Sequence, residues 1–143
     1  MSSLINISER ASLAIHSMVL VVRGGAGRAT IRELAENLDA SANHLAKVFQ
    51  NLGKAGLVRS VRGPAGGYQL NRPAQEITFL DIYEAVEGPV RLTGCPLGKD
   101  KCYFDHCIFS SEMMRITRDL YDSLKGMTLS AFLAEQAKAE KTG

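Results

Sequence analysis

The feature that most constrains the fold is a pair of short capped helices joined by a tight turn. Thr30–Glu33 has the spacing of a capping box, which predicts a helix with Ile31, Leu34, Ala35 and Leu38 on its inner side. Asp39-Ala40 predicts the turn, and Ser41 predicts the cap of the next helix. The apolar residues of that next helix recur in steps of three and four, at Leu45, Val48, Phe49 and Leu52.

A β-hairpin pattern follows the second helix directly. Residues 57–62 alternate in the manner of a strand, residues 63–67 are rich in glycine, and Tyr68-Gln69-Leu70 can return beside the first strand. Two capped helices followed by a hairpin form a winged helix-turn-helix. We therefore predict that residues 30–70 adopt this fold, with the glycines at the tip of the wing.

Further helices are predicted on both sides of this motif. Ser8 caps a helix through Val22 that is ended by Gly24-Gly25, and its apolar positions are Ala11, Ile15, Met18 and Val22. Thr78 begins an amphipathic helix that Gly88-Pro89 closes. Ser110 or Ser111 caps a longer helix to Lys125, and Thr128 caps a last helix, of which residues 138–143 are expected to fray. The predicted fold class is mainly α, with a small β-hairpin wing and a long C-terminal dimerisation helix.

The charge distribution indicates an anionic partner. The net charge of the 143 residues is only +2, but residues 41–75 contain no Asp or Glu while they include five basic side chains: Lys47, Lys54, Arg59, Arg62 and Arg72. Ser41, Asn43 and His44 offer donors and acceptors near a helix N-terminus, and Lys47 can neutralise a phosphate. The pattern favours double-stranded DNA as the partner. The competing interpretation is a helical domain whose solvated faces are basic, because helix-turn-helix motifs also occur in proteins that bind no DNA.

Three cysteines form a second distinctive feature. Cys95, Cys102 and Cys107 follow a C-x6-C-x4-C spacing in a segment rich in Gly, Pro and charged residues. Zinc ribbons use paired knuckles with shorter spacing, so this pattern fits an iron–sulfur cluster better than a zinc site. Lys99, Lys101 and His106 can favour the thiolate form. Free reactive thiols or a transient disulfide remain the alternative at this point.

The chain resembles the IscR/NsrR (Rrf-two) family of bacterial transcription regulators. The resemblance rests on Ser41-Ala42-Asn43-His44-Leu45-Ala46-Lys47, on Ala55-Gly56-Leu57-Val58, on residues 61–68 (VRGPAGGY), and on the cysteine trio. It implies a homodimer on a palindromic operator. The candidate DNA-binding residues are Ser41, Asn43, His44, Lys47, Arg59, Arg62 and Gly63, with Arg62-Gly63 in the minor groove. Asn43-His44 with Lys47 look more like the nitric-oxide-responsive NsrR branch than the IscR branch.

The resemblance also implies a cluster on Cys95, Cys102 and Cys107, of the 4Fe–4S type in preference to 2Fe–2S. The fourth ligand stays open, because Ser110 stands at the histidine position of the IscR branch and Ser12 at the aspartate position of the NsrR branch. His16 matches a histidine ligand of another member. Glu9, Ser12 and His16 share one helix face. The alternative for His16, which the sequence slightly favours, is a packed histidine satisfied by one hydrogen bond. His106 is a weaker candidate, and the fourth site can also be a water or a small molecule.

A stripe of apolar residues on the helix after the cysteines predicts a dimer interface. Its members are Met113, Ile116, Leu120 and Leu124, widened by Met114 and Tyr121. Such a stripe is too apolar for a small monomer to cover, so we expect an obligate dimer. The expected organisation is a DNA-binding domain over 1–90, a cysteine-rich cluster-binding loop over 91–109, and the dimerisation and C-terminal helices over 110–143.

Several function classes are excluded or disfavoured. The chain lacks a nucleophile elbow, a P-loop, HExxH and GxGxxG, so we do not expect an enzyme. Its longest apolar run, 13–22, is too short for a membrane span, and no secretion signal is evident, so we expect a cytoplasmic protein. The predicted function is an operator-binding regulator, acting as a repressor, controlled by a cluster that senses nitric oxide, redox state or iron–sulfur status. The alternatives are a cluster-free regulator controlled by thiol oxidation or by a protein partner, and an iron–sulfur carrier, which would not need the basic wing.

Overall fold

The computed structural model describes residues 2–64, 66–92, 95–99, 101–109 and 111–143. Helices predominate and pack beside one small antiparallel sheet, which confirms the predicted mainly α fold with a small β wing. The elements in chain order are α1 (Glu9–Arg23), β1 (Arg28–Ala29), α2 (Ile31–Leu38), α3 (Ala42–Lys54), β2 (Val58–Val61), β3 (Gly67–Leu70), a 3₁₀ turn (Ala74–Glu76), α4 (Phe79–Glu87), α5 (Glu112–Gly126) and α6 (Leu129–Thr142).

The predicted helix caps account for where most helices begin. Ser8 and Ser41 accept hydrogen bonds from the N–H groups of Ala11 and His44, at 3.0 and 3.3 Å. Thr30 forms the predicted capping box with Glu33, and a second capping box joins Thr78 to Asp81 at the start of α4. Each cap pairs an N–H that the helix itself leaves without a partner.

The last two helices differ in detail from the prediction. Ser111 precedes α5 but makes no capping hydrogen bond through its side chain, and Ser110 lies outside the described residues. The expected fraying of residues 138–143 is wrong, because α6 continues to Thr142. The Thr128 cap and an ion pair between Arg23 and Glu140, at 3.0 Å, hold α6 at both ends.

The sheet contains one strand more than predicted. β2 and β3 form the expected hairpin, with Val58 opposite Leu70 and Val61 opposite Gly67. The two-residue strand β1 pairs with the other edge of β3, so the strand order is β1-β3-β2. The ring centroid of Tyr68 on β3 lies 4.8 Å from that of Phe49 on α3, which packs the wing against the helix before it.

The core lies between α1, α3 and α4 and holds the helix-turn-helix in place. The predicted inner residues of α3 are all buried, at Leu45, Val48, Phe49 and Leu52. Asp39 adopts the left-handed conformation (φ 48°, ψ 49°) that closes the predicted turn between α2 and α3. The packed face of α3 leaves its opposite face open to solvent.

The first helix buries two of its four predicted apolar positions, Ala11 and Met18, but not the other two. Its fully buried side chains are Ala11, Ala14, Ser17, Met18 and Val21, whereas the predicted Ile15 and Val22 are only half-buried. The helix is apolar on nearly all sides between residues 13 and 22, so two helical registers fit the sequence equally well.

The C-terminal helices return to the first part of the chain. Leu129 donates to the carbonyl of Ile77 at 3.0 Å, and Phe79 donates to that of Met127 at 2.9 Å, so the starts of α4 and α6 are joined by a short bridge. Leu129 itself is fully buried. Helix α5 lies along α4, and no residue over 112–126 is fully buried.

Candidate nucleic-acid interface and cysteine loop

The N-terminal turn of α3 presents polar side chains on the surface of the helix-turn-helix. Asn43 and Lys47 are exposed, and His44 is half-buried. Ser41 is exposed as well, but its hydroxyl caps the helix by accepting from the N–H of His44. Asn43 and Lys47 therefore extend freely into solvent from a helix whose other face is fixed in the core, as the recognition helix of such a motif requires.

A carboxylate from another helix reaches this surface. Glu9, in the first turn of α1, has its Oε1 atom 4.0 Å from Nδ1 of His44. Across the described ranges, Glu9 supplies the only carboxylate within 4 Å of a basic side chain from residues 41–75. This contact was not predicted, and it crosses 35 residues of sequence, beyond the reach of a local pattern.

The wing turns at a tight glycine-rich tip. Gly63 and Gly67 have φ angles of 115° and 128°, which favour glycine, and Gly66 donates to the carbonyl of Gly63 at 3.0 Å. Arg62 is exposed beside the tip. A compact tip with an exposed arginine can approach a narrow groove closely, so the structure leaves Arg62 and Gly63 accessible for the role that the sequence predicts.

The solvent face of the sheet carries a row of polar side chains across its three strands. Arg28, Gln69 and Arg59 are register partners on β1, β3 and β2. The Arg59 guanidinium donates through Nη2 and Nε to the side-chain oxygen of Gln69, at 2.5 and 2.6 Å with the amide in its hydrogen-bonding orientation. Sequence reasoning missed Arg28, because a two-residue strand has no detectable alternation. The positive charge of Arg28 is the property of the sequence that could have indicated this residue.

The three cysteines line one cavity of about 350 Å³ in the loop between α4 and α5. Their neighbours in its wall include apolar side chains that are otherwise exposed to solvent, at Leu97, Tyr103, Phe104, Ile108 and Phe109. All three thiols are free. Over the described part of the chain, no group of three or more His, Cys, Asp or Glu side chains is arranged to hold a metal ion. The donor chemistry nevertheless fits a soft metal or an iron–sulfur cluster, since the three cysteines line one largely apolar cavity.

Cys95 has the most structured surroundings of the three. The backbone N–H groups of Lys99, Leu97 and Gly98 lower the pKa of the Cys95 thiol, and the positive charge of Lys99 adds to their effect. Gly98 also donates to the carbonyl of Cys95 at 2.9 Å, which closes the turn that aims these groups at the sulfur. Backbone donors directed at a sulfur stabilise its thiolate form, the form that binds metals and reacts with oxidants.

The candidate fourth ligands contact different parts of the protein. His16 is exposed, and its Nδ1 donates to the carbonyl of Ser12 at 2.7 Å. The expected single hydrogen bond is therefore present, but the alternative of a packed histidine is wrong because the ring is open to solvent. Glu9 lies toward His44 instead. Their role as ligands stays a prediction, as does that of Ser110, which is not among the described residues.

A charged network joins the start of α1 to the end of α4, immediately before the cysteine loop. Glu87 accepts from the Ser8 hydroxyl and from Arg10, at 3.2 and 3.1 Å. Arg10 first, and then Ser8, hold the pKa of the Glu87 carboxyl below its ordinary value. One turn earlier, Glu84 accepts from the N–H of Val90 at 3.0 Å. Two carboxylates thus fix the point at which the cysteine loop leaves α4.

Comparison with known proteins decides the family. A model of the Rrf2 family, described as an iron-dependent transcriptional regulator, matches residues 7–135. The chain belongs to the Rrf2 family. It is 32% identical over 131 residues to the transcriptional regulator IscR of Escherichia coli O1:K1, an alignment that covers 90% of this chain and 78% of that relative.

Two solved structures of Rrf2 relatives share the fold. The IscR of T. potens has a TM-score of 0.75 at 26% identity, covering 95% of this chain and 91% of its own. The oxidized form of Staphylococcus aureus CymR has a TM-score of 0.69 at 29% identity, covering 90% and 95%. The curated relative is named as a transcriptional regulator rather than an enzyme, and this chain is a DNA-binding transcriptional regulator of the same family. None of the described helices is both long and apolar enough to cross a membrane.

Proposed function

We propose that this Rrf2 regulator is an operator-binding repressor of the cytoplasm, and that an iron–sulfur cluster held by Cys95, Cys102 and Cys107 controls its binding. The observation that carries the proposal is the shared cavity of the three thiols, in the loop that begins where α4 is tied to α1. The cluster type we propose is 4Fe–4S. When bound, the cluster supplies a centre that reacts with nitric oxide or oxygen, or whose occupancy follows the supply of iron and sulfide.

The DNA-reading part of the proposal assigns a role to each exposed group. Ser41, Asn43 and His44 read base edges in the major groove, while Lys47 contacts phosphate. Arg62 enters the minor groove with Gly63 beside it, and Arg59 adds positive charge on the wing. The exposure of Asn43, Lys47 and Arg62, and the lack of acids over 41–75, support this assignment.

The protein acts in this proposal as a homodimer on a palindromic operator. Helix α5 supports the dimer, because its apolar stripe stays only half-buried in the single chain, with α4 covering one side. We propose that residues 1–90 form the DNA-binding domain, 91–109 the cluster loop, and 110–143 the dimerisation region. The DNA-binding domains of the two subunits, the reading heads, must lie about one helical turn of DNA apart to share an operator. A small rotation at α5 therefore changes the affinity for the operator.

The regulatory step depends on the order of the cysteine loop. Three backbone N–H groups lower the pKa of the Cys95 thiol, and Cys102 and Cys107 line the same cavity. Holding the three thiols together fixes the chain between α4 and α5. We propose that release of the thiols changes the angle between the two heads. The fourth ligand we propose is His16 or Ser12 of α1, in preference to Glu9, because the Glu9 carboxylate lies toward His44.

Binding to DNA before and after exposure to nitric oxide or oxygen tests this function. Protein purified without oxygen selects a duplex from a random library, and fluorescence anisotropy then follows its dissociation constant. We expect the wild type to lose affinity on exposure and Cys102→Ala to show no response. Asp105→Ala changes an exposed residue of the same loop that does not line the cavity, and it should respond as the wild type does. A Cys102→Ala protein that binds and releases the duplex normally would contradict the cluster mechanism.

Control by thiol oxidation without a cluster is the second candidate function. The lowered pKa of the Cys95 thiol and the exposure of Cys102 and Cys107 favour it. The relative from S. aureus whose structure is that of an oxidized form also supports it. Iron-free protein whose affinity for the selected duplex changes with diamide and is restored by a thiol reductant would establish this alternative in place of the cluster.

A further inference from the structure

We infer that Glu9 is a specificity-determining residue of the DNA interface, which acts by fixing the imidazole of His44 from a neighbouring helix. This inference rests on the proposed role of α3 in reading bases, and it adds a residue that lies outside the helix-turn-helix and the wing. It concerns which base pair is preferred.

The first turn of α1 is held firmly enough to place Glu9. Ser8, immediately before it, caps the helix and donates to Glu87, and Arg10, immediately after it, donates to the same carboxylate through two nitrogens. The pair between Arg10 and Glu87 joins α1 to α4 across 77 residues of sequence. The backbone on both sides of Glu9 is thus anchored, while its own side chain is 77% exposed and free to reach outward.

The backbone that carries His44 is anchored as well. The backbone N–H of His44 is held by the Ser41 hydroxyl at 3.3 Å, and the next residue, Leu45, is fully buried. Nδ1 of His44 faces the Glu9 carboxylate at 4.0 Å, about 1 Å longer than a hydrogen bond. A small rotation of the exposed Glu9 side chain closes that distance.

The chemical consequence is the selection of one imidazole tautomer. In a neutral imidazole one nitrogen donates and the other accepts. A carboxylate beside Nδ1 stabilises the form with the hydrogen on Nδ1, and this makes Nε2 an acceptor. In the major groove an acceptor is complementary to the amino groups of adenine and cytosine, whereas N7 and O6 of guanine require a donor. Glu9 therefore biases His44 toward a base pair that offers an amino group.

A carboxylate at this surface lowers the non-specific affinity for DNA, and that cost supports a specific role for Glu9. Residues 41–75 contain no Asp or Glu, so nothing else in that stretch repels phosphate. A carboxylate beside the reading helix weakens non-specific attraction to DNA. Its position next to His44 sharpens the choice of base, because lower non-specific affinity and a fixed tautomer both raise the specificity ratio.

The test compares Glu9→Ala with a charge-matched control. Glu140→Ala removes the same unit of negative charge from an exposed ion pair. In that pair Glu140 on α6 contacts Arg23, at the opposite end of α1 from Glu9. A duplex selected by the wild type is changed one base pair at a time, and His44→Ala identifies the base pair at which His44 acts. We expect Glu9→Ala to lose about tenfold of the discrimination at that base pair and to keep it elsewhere. Glu140→Ala should discriminate as the wild type does.

A second readout does not depend on DNA. Long-range ¹⁵N–¹H spectra of the full-length wild type at pH 8 report the tautomer of His44, and we expect the Nδ1–H form to predominate there and to decline in Glu9→Ala. An Nε2–H form in the wild type, or unchanged base discrimination in Glu9→Ala, would overturn the inference. Those results differ from the failure of the proposed function, in which the wild type itself would prefer no duplex.

Discussion

Replacement of Gly67 by alanine is the sharpest test of the wing geometry. Gly67 begins β3 with a φ of 128°, opposite Val61, and a Cβ atom built on it would lie 2.5 Å from the carbonyl oxygen of Ala29 and 2.8 Å from its carbonyl carbon. Those are backbone atoms of β1, so no side-chain rotation relieves the clash. The strand β1 must move, and with it Thr30, the cap of α2.

Gly63 provides the matched comparison. Its φ of 115° is equally unfavourable for alanine, but nothing lies within 4 Å of a Cβ built there. Gly63→Ala should therefore cost the conformational strain alone, roughly 1–3 kcal/mol. Gly67→Ala adds the loss of β1–β3 hydrogen bonds at about 1 kcal/mol each and disturbance of the α2 cap, which brings its cost to roughly 3–5 kcal/mol.

Urea denaturation followed by circular dichroism measures both costs as changes in the free energy of unfolding. We expect Gly67→Ala to lose more than Gly63→Ala by about 2 kcal/mol. An equal or smaller loss at Gly67 would refute the close approach of β1 to β3 on which the position of α2 depends.

Three further perturbations follow from single contacts. Ser17→Ala should raise the free energy of unfolding by about 1 kcal/mol in a thermal or urea melt, because its hydroxyl is buried and has no hydrogen-bond partner among the described residues; a loss of stability would mean that the hydroxyl has one. Glu87→Ala should lower stability at pH 7 by about 1–2 kcal/mol. Arg10 and Ser8 hold the pKa of Glu87 below its ordinary value. The contribution of Glu87 to the free energy of unfolding is therefore complete above the unfolded pKa of about 4.3 and disappears as the pH falls through the folded pKa. A stability difference between the wild type and Glu87→Ala that persists at the acid end would contradict this. Arg62→Ala should weaken binding to a selected duplex more than binding to random DNA, and equal losses in a titration would place Arg62 on phosphate alone.

Local chemistry made the helix-turn-helix and the hairpin predictable from the sequence. Caps such as Ser41 and Thr30, the left-handed turn at Asp39 and the glycines of the tip each act within a few residues. The buried face of α1 was not predictable, because apolar residues surround that helix and tertiary packing chooses among them. Strand β1 was missed for a related reason, since two residues become a strand only through their pairing with β3.

Some features of the candidate site were likewise predictable from the sequence, and others were not. Exposure of Asn43, Lys47 and Arg62 follows from the helical and strand periods that bury their neighbours, and was predictable. The contact of Glu9 with His44 and the junction of Glu87 with Ser8 and Arg10 join residues 35 or more apart in sequence. The spacing of polar and apolar residues along the sequence does not predict such long-range contacts. The shared cavity of the thiols was expected from their clustering, but the N–H donors around Cys95 depend on the turn that follows it.

Iron and acid-labile sulfide in protein purified without oxygen, read together with the visible absorption spectrum and a zinc determination, test the central proposal most directly. We expect a brown wild-type protein with iron and sulfide in roughly equal amounts, and loss of both in Cys102→Ala. A colourless wild type that stays empty after anaerobic reconstitution would contradict it, and would leave a winged-helix regulator controlled by its thiols or by a partner.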